Sequence, residues 1–203
     1  MTPKYWPQAV SSLSGQDPVM KKLIRRHGAV GIQRRRDPFI ALARSITGQQ
    51  LSVKAAQSIW QRLLDMVGAI EPDTIATSEV AQLRSCGLSA NKSVYLIELA
   101  TRFRDGTIDV GKWRRWADER IIEELTRVKG IGRWTAEMFL IFHMLRPNIL
   151  PLDDAGLQRA MRLHYNRGES LSRPEMRQIA QCWEPWSSVA TWFMWRSLDA
   201  DPV

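Results

Sequence analysis

Apolar residues along this chain fall three and four positions apart and almost nowhere alternate with polar ones. That is the period of a helix, not of a strand. The punctuation agrees. Asp17-Pro18 and Asp37-Pro38 each read as an N-cap followed by proline at the first helical position. The first predicts a helix that Gly28 ends, and the second a helix through FIALARSIT to Gly48. Ser52 caps a predicted helix over VKAAQSIWQRLLDMV that stops near Gly68. Glu79 to Ser85 reads as a short helix, and Ser89 caps a longer one through Phe103. Asp118 opens a helix that runs into Gly130-Ile131-Gly132, and another follows from Arg133 to about Met144. A loop with two prolines then leads to a helix through Leu163. Ser172, with Pro174-Glu175, opens one from Arg173 to Gln181, and Pro185 starts the last, through Leu198. The expectation is an all-α protein of about ten helices, with no Gly-, Ser- or Pro-rich linker dividing it.

The stretch from Leu125 to Arg159 carries the candidate chemistry. Glycine permits positive φ and lets another backbone come close. The N–H groups that open the next helix favour an anion, so the Gly130-Ile131-Gly132 turn can seat a phosphate. Taken alone, the same turn reads better as a helix C-cap followed by a new helix. Asp153 and Asp154 arrive at the start of the helix beyond, where a carboxylate can do chemistry; from spacing alone, each reads better as an N-cap. Leu83 to Ser89 also joins two helices through a glycine, Gly87, and reads as a plain connection ahead of a degenerate second hairpin.

Composition narrows the class. The chain has 203 residues, 44% hydrophobic and 25% charged, enough for a substantial core. No apolar run approaches the ~20 residues that span a bilayer, and MTPKYWPQAVSSL lacks the apolar stretch of a secretory signal. An intracellular, cytoplasmic protein with no membrane partner is expected. Cys86 and Cys182 are too few for a four-thiolate iron–sulfur site, no Cys/His cluster suggests zinc, and both thiols are expected to be packed in the fold. The net charge of +8 suits a polyanion such as nucleic acid. The basic runs Lys21-Lys22, Arg25-Arg26 and Arg34-Arg35-Arg36 read singly as solvated faces.

The turn VKGIGRWTA, followed 22 residues after Gly132 by Asp154, resembles the helix-hairpin-helix DNA glycosylase superfamily. RSITGQQLSVKAA (Arg44 to Ala56), CGLSANKSVYLIELA (Cys86 to Ala100) and WEPWSSVATWFMW (Trp183 to Trp195) resemble its 3-methyladenine DNA glycosylase II branch, in the same order. Long bacterial members carry an additional N-terminal β-containing domain, so this chain resembles the short catalytic core. The resemblance implies a two-lobed helical bundle with the active-site cleft between lobes. One lobe would take about 1–36 plus 145–203, and the other about 37–144.

The same resemblance implies the site. Asp154 matches the catalytic aspartate, counted back from Gln158-Arg159, and Asp153 is the expected cap. Trp134 and Trp195 match tryptophans of the base pocket, while Met138 and Ala155 stand where some members have tyrosines. Most of the nine tryptophans should be core, including Trp60, Trp183 and Trp192. Gln50 or Leu51, in the loop Gly48 to Ser52, matches the wedge that fills the hole left by a flipped base. Gly130, Ile131, Gly132, Arg133 and Trp134 match the phosphate-binding hairpin, with a Na⁺ or K⁺ held by the carbonyls of Thr126, Val128 and Ile131 and no required cofactor. Members that also cut the strand carry lysine where this chain has Trp134; adenine-mismatch members carry glutamate where it has Ser45. The implied function is a monomeric, monofunctional glycosylase that excises alkylated purines from double-stranded DNA, acting where the DNA is, at the nucleoid. Two alternatives stay open: a non-catalytic binder of bent or damaged DNA, and a monofunctional glycosylase for deaminated or oxidised bases.

Overall fold

The computed structural model describes residues 2–28, 31–33 and 37–199. The basic run Arg34-Arg35-Arg36 lies outside the described residues. Among the described residues there are helices and no strand. The chain divides into two compact units, Met1–Arg34 with Leu140–Val203, and Arg35–Phe139. The boundary falls inside a helix, Arg133–Phe142, rather than at a loop.

The first unit holds α1 (Trp6–Gln16), α2 (Pro18–His27), α10 (Ala155–Tyr165), α11 (Arg173–Ala180) and α12 (Ser187–Arg196). Helix α12 packs against α1, α2 and α10 and is buried along most of its length. Trp6, Ala9 and Leu13, spaced three and four apart, form the inner face of α1. Trp6 meets Trp192 edge-on with ring centroids 5.4 Å apart. Asp17 does more than cap α2. Its Oδ1 accepts from Val19 N at 2.8 Å, and its Oδ2 accepts from Tyr165 Oη at 2.5 Å and Trp183 Nε1 at 2.9 Å. A buried carboxylate so satisfied ties α2, α10 and the 3₁₀ turn Gln181–Trp183 together.

The second unit holds α3 (Pro38–Gly48), α4 (Val53–Val67), α5 (Pro72–Ala76), α6 (Val80–Ser85), α7 (Ala90–Arg104) and α8 (Asp118–Thr126), and most of α9 (Arg133–Phe142). Helix α7 is its hub, packed on α3, α5 and α6. Phe39, Leu42 and Ile46 of α3 and Leu96 and Leu99 of α7 are fully buried, each worth about 1.5–3 kcal/mol relative to exposure. Phe39 meets Phe103 edge-on at 5.5 Å.

The cap-based expectations hold at Asp17, Asp37, Ser52, Ser89 and Ser172, each of which accepts from a first-turn backbone N–H. Among the described residues there are twelve α-helices where about ten are expected. Helix α1 has no side-chain cap to announce it, although its apolar spacing is helical, and α5 is one turn long, too short for periodicity to register. Helix α9 ends at Phe142 instead of Met144, α10 continues to Tyr165, and α12 begins at Ser187, two residues past Pro185. Cys86 is buried, but Cys182 is exposed, because it sits on the outer side of a 3₁₀ turn whose inward residue is Trp183. Trp60 and Trp183 are core as expected, while Trp192 is half-buried, with Arg196 over its ring at 5.7 Å.

Candidate functional site

In the second unit, α8 ends at Thr126 and α9 begins at Arg133, so Arg127 to Gly132 form the turn of the hairpin. Val128 N donates to Leu125 O at 3.1 Å and Ile131 N to Val128 O at 3.0 Å. The two glycines differ. Gly130 has φ 84°, and a Cβ there would lie 2.3 Å from the Tyr95 ring. The fold itself demands glycine at that position. At Gly132 a Cβ would meet nothing within 4 Å, so the open space there faces outward. Gly132 O accepts from Ala136 N at 3.1 Å, so the first turn of α9 starts from this glycine. The connection at Gly87 is unlike this. It also has positive φ (99°), but the Arg62 guanidinium from α4 fills the space beside it, with Nε donating to Cys86 O at 2.8 Å. It is a plain helix–helix link.

The loop from Gly48 to Ser52 is fastened to this hairpin. Gln49 Nε2 donates to Gly130 O at 2.7 Å. From α7, Lys92 Nζ donates to Thr47 O at 2.9 Å and to Gln49 O at 2.6 Å, and partial burial lowers its pKa. Gln50 takes a left-handed backbone, φ 57°, uncommon for a residue other than glycine and found preferentially where ligands are gripped. Leu51 is left 39% exposed. Trp134 is 43% exposed, large for an indole, and Met138 is half-buried one turn along α9. A cavity of about 930 Å³ opens here, lined by Arg44, Gln49, Leu51, Gln57, Trp60 and Trp134 among others. The Arg44 guanidinium lies over the Trp60 ring at 4.5 Å. Sequence reasoning had missed the roles of Gln49, Lys92 and Arg44; the first two act through contacts 81 and 43–45 residues away along the chain.

In the first unit, a strapped loop delivers the carboxylates. Leu145 has φ 56° and its carbonyl accepts from Tyr5 Oη at 2.9 Å; burial pushes the Tyr5 phenol up to about 12. Buried Ser188 donates to Arg146 O at 2.7 Å and accepts from Ile149 N at 2.9 Å. Asp154 then caps α10 and is buried. Its Oδ1 accepts from Leu157 N at 2.7 Å and from Trp195 Nε1 at 2.7 Å. The Trp195 ring is stacked on Phe142, centroids 5.7 Å apart and planes 16° from parallel. Ala155 is exposed beside this pair. A Cβ on Gly156 would stand 3.1 Å from Asp154 Oδ1 and 3.1 Å from Trp195 Cδ1, so the carboxylate–indole contact passes over a position kept bare. Phe142 and Gly156 had no place in the expected site. The signal for Gly156 was there: glycine in the first turn of a helix costs about 1 kcal/mol of propensity and asks for a reason.

The division of labour between the two aspartates is corrected. Asp153 is not the cap. It is exposed and ion-paired to Arg173, while Asp154 holds the cap position itself. Being an N-cap and being a candidate reacting carboxylate are the same assignment here, not rivals. The Arg133 guanidinium is engaged by Glu119 and Glu137, so this residue's expected part in the hairpin rests on its backbone. Among the described residues no group of three or more His, Cys, Asp and Glu side chains could hold a metal, and no helix is long and apolar enough to cross a membrane.

Residues 43–187 match the model of the HhH-GPD superfamily base excision DNA repair proteins. A DNA-3-methyladenine glycosylase of Schizosaccharomyces pombe is 30% identical over 91% of this chain and 84% of its own length. The chain spans less of other curated relatives, 59% of one from Bacillus subtilis (30% identical) and 51% of the DNA-3-methyladenine glycosylase of Saccharomyces cerevisiae (36% identical). Among solved structures, a DNA-3-methyladenine glycosidase of Bacillus halodurans superposes with TM-score 0.86 at 32% identity, covering 93% of this chain and 88% of that one. The Schizosaccharomyces pombe 3-methyladenine DNA glycosylase in complex with abasic DNA superposes with TM-score 0.83 at 30% identity, covering 97% and 99%. With an all-helical fold, an open glycine turn between α8 and α9 and a capped carboxylate downstream, the chain belongs to the HhH-GPD superfamily of base excision DNA repair proteins.

Proposed function

We propose that this protein is a monomeric, monofunctional DNA glycosylase that flips alkylated purines of the 3-methyladenine type out of damaged double-stranded DNA and hydrolyses the N-glycosidic bond, leaving an abasic site. The observation that carries the reading is the Asp154 carboxylate, buried and fixed by the Leu157 and Trp195 N–H groups. Breaking the C1′–N bond sends its electron pair off with the base and leaves positive charge on the sugar. A preorganised carboxylate stabilises that charge, and water then bonds to C1′ and gives up a proton. The same carboxylate also orients that water or takes its proton. The names of the relatives support the substrate class.

The other parts follow. Gly132 and the first turn of α9 take a phosphate through backbone N–H groups, as its open side allows. Gln50 or Leu51 enters the duplex, from a loop held by Gln49 and Lys92. The carbonyls of Thr126, Val128 and Ile131 suit a Na⁺ or K⁺: they lie at the C-terminal end of α8 and in the turn after it, where the helix dipole favours a cation. Val128 O accepts from Ile131 N at 3.0 Å, and a carbonyl oxygen has two lone pairs. Such an ion would add positive charge next to the phosphate, and the hydrolysis needs no other cofactor.

Trp134 and Trp195 offer π faces to an electron-poor base, each worth ~0.5–2 kcal/mol for a cation. Phe142 covers one face of Trp195, and in this reading the base takes the other. A cationic alkylpurine departs as a neutral molecule, whereas hypoxanthine needs a proton first. Single-turnover excision from otherwise identical duplexes should therefore be faster for 3-methyladenine than for hypoxanthine. Equal or faster hypoxanthine release overturns the charge-based selectivity. Trp195→Ala should slow 3-methyladenine excision more than it weakens binding to an abasic-site analogue.

Strand cleavage requires an amine nucleophile, and the matching position is Trp134. Borohydride reduction during turnover is expected to trap no covalent protein–DNA adduct; trapping at the yield of a true lyase rules out a monofunctional reaction.

A further inference from the structure

Arg133 is the first residue of α9, one residue past the open side of Gly132. A cation there stands where it would add to a phosphate contact, yet its guanidinium is committed elsewhere. Nη1 donates to Glu119 Oε2 at 2.9 Å and Nη2 donates to Glu119 Oε1, a two-pronged pair, while Nε donates to Glu137 Oε1 at 3.0 Å. Glu119 lies in the first turn of α8 and Glu137 one turn along α9, so the arginine spans both helices of the hairpin. Arg133 holds the Glu119 carboxyl below the usual range, chiefly through these hydrogen bonds. The two acids differ in setting. The Glu137 side chain is 6% exposed and belongs to the packing; that of Glu119 is 64% exposed and meets Arg133 from the solvent side.

We propose that Glu119 withholds Arg133 from the DNA backbone, and by doing so sets how tightly the protein holds undamaged DNA. This rests on the reading of the hairpin as the phosphate grip. A phosphate held by main-chain N–H groups alone releases fewer counterions than one neutralised by a free guanidinium, and contact with undamaged sequence is almost wholly of that electrostatic kind. An unopposed Arg133 would strengthen every encounter by the same factor, damaged or not, and so lengthen the protein's stay on undamaged sequence without improving its discrimination. Glu119 leaves the hairpin's main-chain grip in place and withholds from it the charge of the guanidinium.

The test is the salt dependence of binding to an undamaged duplex, measured on the full chain by fluorescence anisotropy. Glu119→Gln keeps the side chain's size and a hydrogen-bond acceptor and removes its charge. It is expected to raise affinity several-fold at low salt and to steepen the slope of log K against log salt by about 0.9, the contribution of one neutralised phosphate. Glu123→Gln, an exposed acid on the same helix, makes an equal change in net charge and should leave the slope where it was. Adding Arg133→Gln to Glu119→Gln should return the slope to its starting value. The proposal is overturned if Glu119→Gln and Glu123→Gln behave alike. It is also overturned if Arg133→Gln in the otherwise unchanged protein flattens the slope by about 0.9, because Arg133 then already neutralises a phosphate. Failure of the underlying reading looks different: Gly132→Val would leave affinity for undamaged DNA intact.

Discussion

Asp154→Asn is expected to slow single-turnover excision of 3-methyladenine by about 10²–10³-fold or more, the usual loss when a preorganised charge is taken from a reacting centre. The substitution is informative because the structure isolates the charge. Asparagine caps a helix about as well as aspartate, and its oxygen can still accept from Leu157 N and Trp195 Nε1, both of which reach Oδ1. Thermal unfolding and binding to an abasic-site duplex should therefore change little. Asp154→Ala confounds the two, since it forfeits about 1 kcal/mol of capping and leaves a half-buried indole N–H without its acceptor, a further ~1–3 kcal/mol. Asp153→Asn removes only a surface ion pair with Arg173, worth about 0–1 kcal/mol, and should leave turnover within a few-fold. A severe loss at Asp153 together with a mild one at Asp154 would move the reacting carboxylate by one residue.

The hairpin glycines should separate in the same way, one by stability and one by affinity. Gly130→Ala puts a Cβ on a left-handed residue, about 1–2 kcal/mol, and against the Tyr95 ring. A total loss of roughly 2–4 kcal/mol in unfolding free energy is expected. Gly132→Val should fold nearly normally, since nothing lies within 4 Å of the added Cβ. Its branched side chain instead occupies the space a phosphate would take, and a hydrogen bond to a charged group is worth ~1.5–3 kcal/mol. Affinity for damaged and undamaged duplexes should fall together, about 10- to 100-fold. Loss of lesion discrimination with nonspecific affinity preserved would refute the phosphate reading.

Helix starts were legible because they are written locally. Asp17, Asp37, Ser52, Ser89 and Ser172 each cap a helix through a backbone N–H two or three residues away, and the chemistry of a cap is carried by the cap itself. The GxG turn and the downstream aspartate pair were likewise visible, together with the family they resemble. What could not be read were contacts between distant segments. Trp195 reaches Asp154 across 41 positions, Gln49 reaches Gly130 across 81, and Tyr165 and Trp183 converge on Asp17 from about 150 and 166 away. One sequence has periodicity but no record of which faces meet. The choice between Asp153 and Asp154 as cap turned on a backbone angle in the loop before α10, and the exposure of Cys182 on the register of a three-residue 3₁₀ turn. Both lie below the resolution of pattern alone.

The double role of Asp154 has a consequence for how this protein can evolve. Reacting groups are commonly tolerated at a cost to stability, so their loss tends to stabilise a fold and inactive descendants arise cheaply. Here the route is narrower, because the residue that would react also secures the start of α10 and the indole of Trp195. A lineage that gave up excision and kept DNA binding would retain the fold at little cost only with another side chain that can cap, such as Asn, Ser or Thr. Position 154 in such descendants should show those residues rather than random drift.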